Sequence, residues 1–286
     1  MKHLLKQNRT SKIIGFFIAT ILMIIIFSCE KEHNCEGECY KTNYWEHFIA
    51  HAGGAIDGIN YTNCLEALNL SYSKGCKLFE LDLSLTTDGK IVASHGAPGI
   101  TEAEFMDRLI AGKYTPLNME AINDWFRNHP DAILITDKIN DPQRIYDEFL
   151  FRDRLIMELF TWAAVDKAIK LGIKPMVSEN LIFGSSKKAM EMGIPALDYG
   201  KNSNIEKILE DKKIKYICMS RIHGIPGNEK LLKRLKAKGI KNYVFHLENP
   251  INGQPAEQYV WDNEMDYCYG MYANDLDLLV SLLKNQ

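Results

Sequence analysis

The stretch Lys77-Leu78-Phe79-Glu80-Leu81-Asp82-Leu83-Ser84-Leu85 sets the pattern from which the fold is read. Successive side chains leave a strand on opposite faces. Leu81, Leu83 and Leu85 therefore share one face, and Glu80, Asp82 and Ser84 share the other. Seven further apolar runs have strand length: 48–52, 132–137, 155–160, 174–181, 215–220, 241–247 and 267–272. Most are continuous, as strands covered on both faces are. Helical signals fall between them. Thr115-Pro116 and Asp141-Pro142 open helices with Pro at the first helical position, and Gly172, Gly193 and Gly239 close others. The segment 229–238 is basic, but its leucines recur at helical spacing, which predicts a solvated amphipathic helix. Pro195 interrupts the apolar run 194–199, so that run reads as loop. Eight strands alternating with helices predict an α/β fold, a (β/α)8 TIM-type barrel as a single domain over 47–286. A doubly wound open sheet is the competing architecture.

The chain has 286 residues, 46% hydrophobic and 25% charged, with no low-complexity block, which excludes fibrous and wholly disordered classes. Residues 1–28 carry four bases and no acid; removing these from the 34 leaves 30 bases against 37 acids, net −7. An acidic body argues against a nucleic-acid partner, because such binding runs on clustered Lys and Arg. The basic start, the uncharged run 13–28 and then Cys29 have the order of an export signal. Ile26-Phe27-Ser28-Cys29 resembles a bacterial lipobox, so 1–28 is expected to be a lipoprotein signal peptide and Cys29 the lipidated residue. A signal anchor is the alternative. Residues 29–46 read as a polar tether in which Cys35 and Cys39 suit a local disulfide. Glu30-Lys31-Glu32 resembles a surface-export signal of some Gram-negative lipoproteins, so the expected location is extracytoplasmic, anchored to the outer membrane. Cys64, Cys76, Cys218 and Cys268 lie among apolar residues and read as core.

Four features in the first part of the barrel carry chemistry. His51-Ala52-Gly53-Gly54 ends the first strand, where a barrel keeps its site and where Gly53 lets backbone approach a ligand. Glu80 and Asp82 place two carboxylates on one face of an apolar strand, which is costly unless a cation or shared protons neutralise them. A hard divalent metal answers that need. Thr87-Asp88-Gly89 is a turn that returns the chain so that His95 approaches the carboxylates. Asp137 ends the run 132–136 where a strand would open into the site. Two histidines able to exchange protons and three acids able to hold a metal suit metal-assisted attack at phosphorus.

The order His51-Ala-Gly-Gly, an Asn63-led helix, Glu80-x-Asp82, Thr87-x-Gly89 and His95 resembles the glycerophosphodiester phosphodiesterase superfamily. The run Gly270–Asp275 resembles that family's last strand. The resemblance implies a TIM barrel of the phospholipase C-like phosphodiesterases, one Mg2+ or Ca2+ on Glu80 and Asp82, and His51 and His95 as catalytic acid and base. The triad Glu80, Asp82 and Asp137 is similar to that of sphingomyelinase D-like phospholipases. Ala52 stands where the family has a phosphate-holding Arg, Thr62 where it has Glu, and Lys138 one place earlier than its lysine.

Gly53, Asn63, Lys138, Glu158 and His246 are further candidates for substrate contact. Glu179 falls on an apolar run and His223 on a loop, while Trp45, Trp162 and Trp261 read as packing residues. The expectation is a metal-dependent phosphodiester hydrolase acting on a small-molecule or lipid phosphodiester, held at a membrane through its N-terminal lipid. Two alternatives stand beside it. One is a catalytically weakened surface lipoprotein that binds a phosphodiester or glycan. The other is a phospholipase-type lyase releasing a cyclic phosphate.

Overall fold

The computed structural model describes residues 44–184 and 204–284. The expected leader, Cys29, the Cys35/Cys39 pair, Gly193 and the run 194–199 lie outside the described residues. Nine strands are present among them: β1 Phe48–Ala50, β2 Leu78–Leu85, β3 Ile91–Ala93, β4 Ile133–Asp137, β5 Leu155–Leu159, β6 Lys174–Ser178, β7 Tyr216–Ser220, β8 Lys241–Phe245 and β9 Gly270–Ala273. All but β3 run parallel, in the order β1-β2-β4-β5-β6-β7-β8-β9, and β1 also pairs with β9. The sheet therefore closes on itself, and the open-sheet alternative fails. β3 lies antiparallel to β2 as the return arm of a hairpin, with Leu83 opposite Ala93 and Leu85 opposite Ile91.

The alternation read from the sequence has a direct outcome. Phe79, Leu81 and Leu83 are buried outside the barrel wall, while Leu78, Glu80 and Asp82 point inward. The interior is filled by Ile49, Leu78, Ile135, Ile156, Met176, Cys218, Tyr243, Phe245 and Tyr272. Acids take over near the C-terminal ends of β2 and β4, so polarity changes along the barrel axis from a dry packed core to a charged rim.

Some expected boundaries move, each for a local reason. β1 stops at Ala50 because Ala52, Gly53 and Gly54 have φ of +48°, +84° and +97°, which turns the chain out of the sheet. The run 174–181 is strand only to Ser178; Glu179 begins the helix Glu179–Phe183 and so does not lie on a strand. The run 267–272 enters the sheet at Gly270, because the Cys268 N–H is held by the Glu264 carbonyl. Thr115-Pro116 opens no helix. Thr115 donates from its N–H and its hydroxyl to Glu66, and Leu117 pairs with β3 through the Ala93 N–H, so the segment stays extended. The helix there is Met119–Asn128, capped by the Asn118 side chain on the Ala121 N–H. Asp141-Pro142 does open Pro142–Glu148, with Asp141 accepting from the N–H groups of Gln143 and Arg144.

In the helix Glu229–Ala237, Leu232 and Leu235 are buried while Lys233 and Arg234 pair with Asp266 and Glu206, which is the solvated face expected. Trp45 and Trp261 pack on Phe48, and Trp162 opens the helix Trp162–Lys170 beside Lys212. Cys64, Cys76, Cys218 and Cys268 are buried, as their apolar surroundings predict. Among the described residues, no helix is long and apolar enough to cross a membrane.

Candidate metal centre and acid–base site

Asp82 of β2 stands in register with Asp137 of β4, so two parallel neighbours carry carboxylates side by side into the barrel mouth. Glu80 lies one inward position below Asp82. Ligand oxygens of Glu80, Asp82 and Asp137 all lie within 4.8 Å of one another, and all three residues are buried. Three like charges so close and so far from water repel strongly. Lys138 brings one ammonium, its Nζ 3.6 Å from Asp82 Oδ1 and 3.7 Å from Asp137 Oδ2. One ammonium does not balance three carboxylates, and an all-oxygen acidic donor set is the chemistry of a hard divalent cation.

Each acid is aimed by backbone or amide donors. The Ala52 N–H donates to Glu80 Oε2 at 2.8 Å. Asn63 grips Asp82 twice: its Nδ2 donates to Oδ2 at 3.0 Å, and its Oδ1 accepts from the Asp82 N–H at 2.9 Å. The Lys138 N–H donates to Asp137 Oδ1 at 2.6 Å. Ala52, Asn63 and Lys138 all hold positive φ, at +48°, +50° and +69°. Backbone of that kind is costly away from glycine and persists where the surroundings fix it, often at sites.

Two histidines flank the acids. His51 follows β1 directly, and His95 follows the β2–β3 hairpin, where the Ser94 N–H donates to the Asp82 carbonyl at 2.8 Å. The ring of Tyr61 lies edge-on to both, with centroids 4.7 Å from His51 and 5.3 Å from His95. Its hydroxyl donates to Glu248 Oε1, in the loop after β8. Burial first, then the hydrogen bond to Glu248 and the nearby charges of Asp82 and Glu80, raise the Tyr61 phenol above its ordinary value, so it is a protonated donor at neutral pH.

These groups line one cavity of about 500 Å³, together with Ile222 and His223 after β7, Phe245, His246, Glu248 and Asn249 from β8 and the loop after it, and Tyr272 of β9. Its size suits a small organic ligand.

The cavity brings together His51, His95, Glu80, Asp82, Asp137, Lys138, His223 and His246 from the residues singled out in the sequence. His246, at φ +65°, shares a hydrogen bond between Nδ1 and the Ser220 hydroxyl at 2.8 Å. The other candidates sit elsewhere. Gly53 is buried under the helix Leu65–Ser73, where a Cβ would stand 3.3 Å from that of Ala67, and its carbonyl accepts from Ser71. Asn63 serves Asp82 rather than the cavity wall. Glu158 accepts from the Ser178 hydroxyl at 2.8 Å inside the barrel, and Glu179 accepts from the Ser220 N–H at 2.8 Å.

Tyr61, Glu248 and Tyr272 are cavity residues that the sequence reading passed over. Alternation on β9 could have placed Tyr272 inward. Nothing in the local sequence announces that Tyr61 and Glu248, 187 residues apart, meet.

No protein-family model matches the sequence, and no curated protein is similar enough to match it. Solved structures share the fold. A glycerophosphodiester phosphodiesterase from Thermotoga maritima has a TM-score of 0.60 at 20% identity, covering 82% of this chain and 97% of that one. Another, from Parabacteroides distasonis, has a TM-score of 0.60 at 14% identity, covering 84% and 97%. A phosphodiesterase of Oleispira antarctica, solved in complex with the product sn-glycerol-3-phosphate, has a TM-score of 0.58 at 14% identity, again covering 84% and 97%. At these identities the likeness establishes the fold.

Proposed function

We propose that this barrel is a metal-dependent phosphodiesterase that cleaves glycerophosphodiesters or related phospholipid head-group diesters. The observation that carries the reading is the meeting of Glu80, Asp82 and Asp137 with His51 and His95 in a single cavity. The fold likeness to phosphodiesterases supports it, as does the sn-glycerol-3-phosphate in one of those structures.

Glu80, Asp82 and Asp137 would hold one divalent cation, Mg2+ or Ca2+. Bound there, it would neutralise phosphate oxygens and stabilise the charge that builds at phosphorus. The remaining work belongs to the chain's own side chains. His51 and His95 approach the cavity from different loops. One takes the proton from the attacking oxygen and the other gives a proton to the departing alkoxide; each transfer of this kind is worth about 10²–10⁴ in rate. Lys138 offsets part of the acid charge. Packing beneath the rim excludes water from below, which strengthens every charge interaction above it.

Ala52 brings no side-chain donor to a phosphate, but it still serves the acids. Its contribution to the acids is a backbone N–H on Glu80, which the residue supplies whatever its side chain. Thr62 is likewise spoken for, accepting from the Cys64 thiol inside the fold. The order of residues before Cys29 supports a lipid-anchored, extracytoplasmic placement of the barrel.

The test is a panel of glycerophosphodiesters and lysophospholipids followed by phosphorus NMR. Release of a phosphomonoester supports a hydrolase. A cyclic phosphate as end product would reassign the barrel to the lyase class, and inertness towards every diester would remove the proposal.

A further inference from the structure

One contact at the cavity mouth is used by neither the acid triad nor the histidine pair. Tyr61, between β1 and the helix Leu65–Ser73, donates its hydroxyl to Glu248 in the loop after β8. Among the described residues it is the one ring in edge contact with both His51 and His95. Its backbone sits at φ +60°, a conformation that an aromatic residue adopts only when its surroundings hold it. The ring is thereby fixed between the two groups that would exchange protons with a substrate.

A phosphodiester placed between those histidines brings negatively charged non-bridging oxygens into a cavity whose base is three carboxylates. It therefore needs uncharged or cationic donors close by. The Lys138 ammonium already faces Asp82 and Asp137. The Tyr272 hydroxyl is buried on Met176 Sδ at 3.2 Å. The Tyr61 hydroxyl faces the mouth, and its present acceptor, Glu248, is exposed and can return to water.

Building on the phosphodiesterase reading above, we propose that Tyr61 is a substrate-binding residue that holds a non-bridging phosphate oxygen between His51 and His95. On phosphate entry its O–H turns from Glu248 to that oxygen. When the ligand leaves, Glu248 takes the hydrogen bond back and keeps the phenol aimed across the mouth. No covalent bond changes in this exchange, and the proton stays on the phenol throughout.

The experiment titrates Mg2+-loaded wild type and Tyr61→Phe with sn-glycerol 3-phosphate by calorimetry. The melting temperature and Mg2+ affinity are measured on the same samples. Phe keeps the ring contacts and loses only the hydroxyl. The expected result is unchanged Mg2+ affinity within about twofold and phosphate affinity weakened by about tenfold or more, the factor for a lost hydrogen bond to a charged group. With a diester substrate, KM should rise more than kcat falls.

Equal phosphate affinity in the two proteins would overturn the proposal. If the melting temperature also fell, the Tyr61–Glu248 bond would be a tie between loops and nothing more. Absence of phosphate binding in the metal-loaded wild type would overturn it too. A wild type that binds phosphate through Tyr61 yet cleaves no diester would instead sink the phosphodiesterase reading and leave Tyr61 assigned as a phosphate ligand.

Discussion

Asn63 shows how one buried side chain sets the chemistry of another. It is 1% exposed and holds both the carboxylate and the backbone N–H of Asp82. Partners of this kind orient metal ligands and typically cost 10–100-fold in metal affinity when removed. Asn63→Ala is therefore expected to weaken Mg2+ binding by about 10–100-fold in a calorimetric titration, with the fold retained; unchanged affinity would show that Asp82 needs no such support.

The types of the site residues were legible in the sequence, because two carboxylates on an apolar strand demand an explanation. Their local geometry was not. Ala52, Asn63, Lys138 and His246 reach their positions through left-handed backbone, which sequence signals firmly at glycine, weakly at Asn or His, and not at all at Ala or Lys. Lys138 is the clearest case: one place early by spacing, it turns at φ +69° so that its ammonium stands between Asp82 and Asp137. Gly53, read as a place for ligand approach, instead satisfies helix packing.

At the scale of elements, closure depends on the seam between β9 and its two neighbours. A Cβ at Gly270 would stand 2.4 Å from the His47 carbonyl oxygen and 2.7 Å from Tyr243 Cε1, too close for either to accept. Gly270→Ala should cost about 3 kcal/mol by overpacking and lower the denaturant midpoint with little change in slope; a neutral result would mean that the seam yields more easily than its contacts suggest.

The helix Ala256–Asn263 contributes a second test, because it buries Glu257, 5% exposed, against the chain following β9. Glu257 accepts from the N–H groups of Asn274 and Asp275, but burial is the larger influence and raises its carboxyl above the ordinary 4.5. An acid with a raised folded value contributes its full stability below pH 4.5 and loses it as pH rises through that value. Glu257→Gln removes the buried charge, so its melting temperature should exceed wild type at pH 8, with the difference shrinking towards pH 4. A difference independent of pH would contradict the argument.

Strands were legible at this scale because both faces are buried, while their ends were not. Thr115-Pro116 carried a helix signal, yet bonds to Glu66, 49 residues earlier, overrode it. Tertiary contacts of that span leave no local mark.

For the whole molecule, closing eight parallel strands gathers the rim ends of β1, β2 and β4 and the returning hairpin around one opening. The alternation of strand and helix made that architecture legible, and with it the rim where the site would lie. The far wall, from the loops after β7 and β8, was less legible because loop sequences carry no period from which to read a direction.

The proposed cleavage of a phosphodiester requires both a metal held by the buried acids and a proton exchange between two histidines. The measurement that bears on it most directly is diester turnover before and after EDTA, with Mg2+ or Ca2+ restored, in wild type, Glu80→Gln and His51→Ala. Turnover should vanish with EDTA, return with the cation, and fall by about 10²–10⁴ in His51→Ala. In Glu80→Gln it should not return when the cation is restored at the concentration that revives wild type. Turnover that survives EDTA, or that both variants retain, would contradict the account.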